Sequence, residues 1–113
     1  MISQDIETIA FRMQLRPGAE LEYRRRHDAI WPSLVAELRA AGIHEYRIFR
    51  DPENHCLFAV ITRVRSHRMD DLPAKPVVRR WWAMMADLMI TEADLAPRVT
   101  ALQEMFCLPR ADP

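Results

Sequence analysis

IHEYRIFRDPENHCLFAVITRV, residues 43–64, reads as two strands joined by a turn. Across Ile43–Arg50, His44, Tyr46 and Ile48 fall on one face and Ile43, Glu45, Arg47 and Phe49 on the other, the period of two expected of a strand. Asp51-Pro52-Glu53-Asn54 places proline where a type I turn favours it. His55–Val64 then returns as a second, more apolar strand, so the stretch predicts an antiparallel hairpin.

Working back from the hairpin, Gly42 is a natural stop for a preceding helix. Pro32 cannot sit inside that helix and biases Trp31 away from helical angles. The reading is therefore a helix from about Ala19, a break near Asp28–Trp31, and a second piece from Pro32 to Ala41 with proline at its first position. Pro17-Gly18 separates the helix from a strand, Ile6–Leu15, in which Ile9, Phe11, Met13 and Leu15 alternate with Ala10, Arg12 and Gln14. Arg12 and Gln14 read either as a solvated face or as the polar lining of a cavity.

Working forward, Ser66–Leu72 predicts a short helix opened by a serine cap. Pro73 and Pro76 interrupt it, and Pro76 starts a helix to about Met89 with Val77, Val78, Trp81, Trp82, Met85 and Leu88 as its apolar faces. Thr91–Arg98 reads as a loop. Thr100–Leu108 reads as a last strand, with Leu102, Glu104 and Phe106 opposite Ala101, Gln103, Met105 and Cys107. Residues 109–113 are a tail. The order is strand, helix, strand, strand, helix, strand: an α+β, ferredoxin-like arrangement with an antiparallel sheet and both helices on one face. Phe11, Phe49, Phe58 and Met105 supply apolar surface for two sides of the sheet, so two copies covering each other's open faces, a homodimer, are expected.

At 113 residues the chain is one domain, with a core over about residues 5–109. Lys plus Arg equals Asp plus Glu, 16 each, a balance that favours neither nucleic acid nor an anionic membrane as partner. Cys56 and Cys107 are too few for a disulfide framework and read as buried thiols. The first residues, Met1-Ile2-Ser3-Gln4-Asp5-Ile6-Glu7, have neither signal-peptide nor membrane-span character. A cytoplasmic protein is expected.

Two glycines leave no room for a phosphate-cradling loop, and the four histidines have no zinc spacing. What remains is Tyr23, His27 and Trp31, recurring every four residues and so stacked on one helix face, with Trp31 displaced by the break. Imidazole exchanges a proton near neutral pH. Taken alone, His27 reads first as a structural histidine satisfied by a backbone carbonyl or Asp28. Trp81 and Trp82 point about 100° apart on a helix, so one can enter the core while the other lines a cavity, where an indole suits the C–H face of a sugar. Both are also readable as core. Tyr46 reads as core with its hydroxyl at the rim. Met84, Met85 and Met89 read as packing, and Arg24–Arg26 as a solvated face.

Four stretches, Glu22-Tyr23-x-x-Arg26-His27-x-x-Ile30-Trp31-Pro32, Gly42-x-His44-x-Tyr46, Arg80-Trp81-Trp82 and Leu102-Gln103-Glu104-x-Phe106-x-Leu108-Pro109, give the chain a resemblance to the L-rhamnose mutarotase family over roughly residues 8–109. The resemblance implies a dimeric α+β barrel that interconverts α- and β-L-rhamnopyranose without a metal or organic cofactor. It implies His27 as proton donor and Tyr23, Tyr46, Trp81 and Trp82 as substrate contacts. The same architecture also hosts cofactor-independent monooxygenases and haem-degrading enzymes, and a non-catalytic sugar-binding module could keep the same pocket; fold alone does not decide among them.

Overall fold

The computed structural model describes residues 5–111. Expectations for the first four residues and for the last two of the tail lie outside the described residues. The chain runs β1 (Ile6–Gln14), α1 (Glu20–Asp28), α2 (Pro32–Ala40), β2 (Ile43–Arg50), β3 (Cys56–Val64), a 3-10 segment (Met69–Ala74), α3 (Pro76–Met85), a 3-10 turn (Ala86–Leu88) and β4 (Thr100–Ala101). The strands form one antiparallel sheet in the order β2-β3-β1-β4. Among the described residues no helix is long and apolar enough to cross a membrane.

Register sorts the side chains by face. Pairings Met13↔Leu57, Phe11↔Ala59, Ile9↔Ile61 and Tyr46↔Ile61 put these residues on one side. Leu57, Ala59 and Ile61 are buried there with Leu34 of α2 and Val77, Val78, Trp81 and Met85 of α3. The opposite side carries Arg12 against Phe58, Ala10 against Val60, and Phe49 against Phe58, with no helix over it. Arg12 is exposed on that face, so it is a solvated residue of the single chain rather than a cavity lining. Phe11 belongs to the helix-covered side.

The break between α1 and α2 is where proline predicts it. Trp31 is extended at ψ 130°, and Pro32 takes the first helical position. Gly42 ends the second piece at φ +101°, a left-handed angle that a Cβ disfavours. A Cβ there would meet Val64 Cγ2 at 2.6 Å and His67 Cα at 3.3 Å. Gly18, at φ +82°, faces open space. Gly42→Ala is therefore expected to cost about 2–4 kcal/mol, dihedral strain plus overpacking, and Gly18→Ala only the strain, about 1 kcal/mol; urea midpoints of the two variants give the comparison.

Several local expectations are corrected. A bulge between Ile43 and Glu45 breaks the alternation at the start of β2, so Ile43 is buried and His44 exposed. The short helix starts at Met69, includes Pro73 and has no Ser66 cap; the Met69 N–H donates to His67 Nδ1 at 3.1 Å. α3 ends at Met85 and tightens into a 3-10 turn. The last strand shrinks to Thr100–Ala101. One further backbone bond, Leu102 N–H to Ala10 O at 3.0 Å, holds the chain to β1. Beyond it the chain leaves the sheet, with Met105 84%, Phe106 81% and Leu108 81% exposed. Cys107 is consequently exposed and Cys56 only half-buried, so neither is the buried thiol its apolar neighbours suggest.

Candidate functional site

The spacing of four on α1 stacks Tyr23 and His27 directly, with ring centroids 4.3 Å apart and planes tilted by 35°. α3 brings Trp81 edge-on to His27 at 5.3 Å. Trp31 stays with the group despite the helix break, its ring 5.2 Å from Trp81 and nearly perpendicular to it. Tyr46 enters from β2, its ring 6.5 Å from Phe11. Trp82, one residue further round α3, is half-buried against the core and makes none of these ring contacts.

Hydrogen bonding fixes what His27 can offer. Its Nδ1–H donates to the Tyr23 carbonyl oxygen at 3.0 Å. A carbonyl can only accept, so Nδ1 carries hydrogen and the exchangeable position is Nε2. The backbone-carbonyl partner expected of a structural histidine is thus present, yet it occupies only one nitrogen. Among the described residues Nε2 has no protein partner, nor do the hydroxyls of Tyr23 and Tyr46 or the indole N–H groups of Trp81 and Trp82. The atoms of His27, Tyr23, Trp81 and Trp82 are not among the buried side-chain atoms left without partners, which among the described residues are Glu20 Oε2 and His55 Nδ1. Polar atoms in a folded interior are normally paired. Several left without a protein partner beside aromatic rings suit a polyhydroxylated ligand with an apolar face.

The electrostatics agree. Burial lowers the pKa of His27, with the Tyr23 carbonyl and Asp28 pulling weakly the other way. Neutral imidazole therefore prevails at neutral pH. Burial raises the pKa of Tyr23, and the charge a Tyr46 phenolate would carry raises it further, which places the two hydroxyls within electrostatic reach of each other. Tyr46 itself is pushed up to about 12 by burial, although 38% of its surface is accessible. Both phenols stay protonated at neutral pH and can donate hydrogen bonds.

Arg26 was legible only as one of three solvated arginines. It is instead half-buried, bonding Glu22, the Met84 carbonyl and Asp87 across to the end of α3. Arg24 and Arg25 are exposed as expected, and hydrogen bonds from Arg25 and then Arg26 push Glu22 down to about 2. A surface recess of about 140 Å³ touches the ring cluster only at Trp31. A larger one, about 220 Å³, lies between α2 and the Met69–Ala74 segment and holds none of the five candidate residues. Among the described residues no three His, Cys, Asp or Glu side chains are grouped to hold a metal ion.

The chain is similar to known proteins over nearly its whole length. Residues 8–108 match the family model described as L-rhamnose mutarotase. A Burkholderia orbicola (strain MC0-3) protein named L-rhamnose mutarotase is 58% identical over 103 residues, 91% of this chain and 99% of that one. One of the same name from Acidiphilium cryptum is 53% identical over 104 residues, 92% and 100% of the two chains. The crystal structure of L-rhamnose mutarotase FA22100 from Formosa agariphila superposes with a TM-score of 0.84 at 38% identity, covering 91% of this chain and 99% of that one. A candidate antibiotic biosynthesis monooxygenase from Bordetella bronchiseptica shares the fold alone, with a TM-score of 0.64 at 17% identity over 91% of this chain and 100% of that one. With aromatic rings grouped around one half-free imidazole and this likeness over nearly its whole length, the chain belongs to the L-rhamnose mutarotase family.

Proposed function

We propose that this chain is an isomerase that interconverts the α and β anomers of L-rhamnopyranose, with His27 as the proton donor to the ring oxygen. The observation that supports the reading is the set of polar atoms without a protein partner, His27 Nε2 and the Tyr23 hydroxyl, with Trp81 against the imidazole and Tyr46 within electrostatic reach of Tyr23. Family membership names the sugar. Protonated His27 gives its Nε2 proton to O5 as the C1–O5 bond breaks, while water, directly or through a tyrosine hydroxyl that passes its own proton on to water, takes the proton from the hydroxyl on C1. The open-chain aldehyde results. Rotation about C1–C2 presents the other face of the carbonyl; O5 attacks it, its proton returns to Nε2, and the carbonyl oxygen recovers its own. Every proton is restored, so the residues named need no cofactor.

Tyr23 and Tyr46 hold sugar hydroxyls in this scheme, and Trp81 and Trp82 pack against the apolar side, including the 6-deoxy methyl group. A homodimer is part of the proposal: the uncovered sheet face and the exposed 102–111 segment offer two complementary surfaces, with Glu104 on the segment and Arg12 and Arg47 on the face. The setting proposed is the cytoplasm, where the free thiols of Cys56 and Cys107 stay reduced.

Two-dimensional exchange NMR between the anomeric protons tests the activity directly. Catalytic amounts of protein should raise the L-rhamnose exchange rate well above the buffer rate, and more than for fucose or mannose. A sugar-binding module would broaden the resonances and leave the rate unchanged.

The lowered pKa of His27 gives a signed pH prediction. With water as the base, directly or through a phenol, the active form is the imidazolium. It is scarce at neutral pH because burial depresses the folded pKa below 6.5. Exchange at low sugar concentration should therefore rise as pH falls from 8 towards and below 6.5. Folding linkage has the opposite sign: the unfolded chain binds the proton first, so stability present above pH 6.5 is lost as pH falls through the folded pKa. A rate that instead falls on acidification, over the range where circular dichroism reports an intact fold, would assign His27 the base role.

A further inference from the structure

α1 is a short element with little of its own to hold it. Its nine residues bury one side chain, Tyr23, and its C-terminal end runs into the break at Trp31. An isolated helix of this length is marginal, and one buried ring does not fix its rotation or sliding. Yet α1 carries the imidazole, whose relation to the Trp81 edge must be held to a fraction of an ångström for proton transfer.

Arg26, the residue before His27, supplies the missing constraint. Its side chain is 19% exposed. Nε donates to Glu22 Oε2 at 2.7 Å, one turn back on α1. Nη1 donates to the Met84 carbonyl at 2.7 Å and to Asp87 Oδ1 at 2.9 Å, and Nη2 to Asp87 Oδ2 at 3.3 Å. The guanidinium fork thus meets a carboxylate with both prongs. It also caps one of the last carbonyls of α3, where intrahelical donors run out and the helix dipole favours a cation. Met84 is three residues beyond Trp81. One end of the clamp is therefore adjacent to His27 and the other within one turn of the indole that His27 meets.

We propose that Arg26 is a positioning residue, which by bolting α1 to the end of α3 holds His27 Nε2 in place against the aromatic rings, with Asp87 as its counterpart. The proposal rests on the mutarotase reading for its kinetic consequence, but not for its structural one. A lysine can keep the charge and one bond and cannot reproduce the fork.

The experiment compares Arg26→Met, Arg26→Lys and Asp87→Asn with wild type and with Arg24→Met, a charge-matched control at an exposed position. Exchange NMR with L-rhamnose gives kcat and KM, and long-range ¹H–¹⁵N spectra of His27 give its tautomer and titration midpoint without sugar. Arg26→Met is expected to lower kcat on the order of 10- to 10²-fold with KM changed by less than about threefold. Its His27 midpoint should move up toward 6.5 as the packing around the ring opens. Arg26→Lys and Asp87→Asn should fall between it and wild type, and Arg24→Met should match wild type. If Arg26→Met does not fold, the other two carry the comparison. Variants that lose thermal stability but keep the control's kcat and His27 titration would overturn the proposal and leave a purely structural ion pair. Absence of activity in wild type would overturn the mutarotase reading alone, since the titration still reports on the clamp.

Discussion

Replacing His27 with alanine is expected to slow anomer exchange by about 10²–10⁴-fold, the contribution typical of one well-placed acid–base group, equivalent to roughly 3–5 kcal/mol of transition-state stabilisation. The effect should appear in kcat, because the imidazole makes its strongest interaction as the C1–O5 bond breaks. Folding should survive. The only hydrogen bond the His27 side chain makes among the described residues is to a carbonyl of its own helix, and alanine is the better helix former. Removal of the ring should also abolish its share of the acid sensitivity, because the group whose folded pKa lies below 6.5 is gone. Tyr23→Phe provides the contrast: it deletes one hydroxyl and keeps the ring stacked on position 27, so KM rises more than kcat falls. Exchange at the wild-type rate in the alanine variant would remove His27 from the chemistry.

The second large effect is expected at the other end of the chain. Phe106→Asp combined with Leu108→Asp should convert a dimer into a monomer of 13.3 kDa by light scattering. Both side chains, with Met105, are more than four-fifths exposed in the single chain. Burying each is worth about 1.5–3 kcal/mol, and a two-fold axis counts every one twice. Even after the loss of rigid-body freedom on association, losing two such anchors per protomer should weaken the dimer by several powers of ten. Wild-type thermal stability should depend on concentration and that of the variant should not. Two aspartates would also meet the sheet face without a compensating partner, apart from Arg12 and Arg47. A wild-type chain that stays monomeric at micromolar concentration, or a double variant that stays dimeric, would refute the tail's role.

The order of elements was readable from a handful of residues whose backbone preferences act locally. Pro32 marked the break and the start of α2, Gly42 the end of α2, and Pro17-Gly18 the end of β1, because a missing N–H, a fixed φ or a missing Cβ limits the chain wherever it is placed. Alternation in β1 assigned its faces, and the four-residue step of Tyr23 and His27 foretold their stacking. Alternation failed at Ile43, where a bulge shifts the register by one residue, and bulges leave little trace in composition. It failed also at 102–108, whose apolar alternation is real but finds no strand beside it within one chain. A periodic pattern states that one face is to be covered and not by whom.

By itself, then, the sequence determined the α+β order, the helix break and the helical phase that stacks Tyr23 on His27. Tertiary structure decided that Trp81 rather than Trp82 meets the imidazole, that Nε2 is its open nitrogen, that Tyr46 lies within electrostatic reach of Tyr23, and that Arg26 leaves solvent to bind the end of α3. The physical reason is range. Dihedral limits and periodicity operate over one turn or one pleat, whereas Arg26 and Asp87 are 61 residues apart and meet only because the packed core sets the distance between α1 and α3.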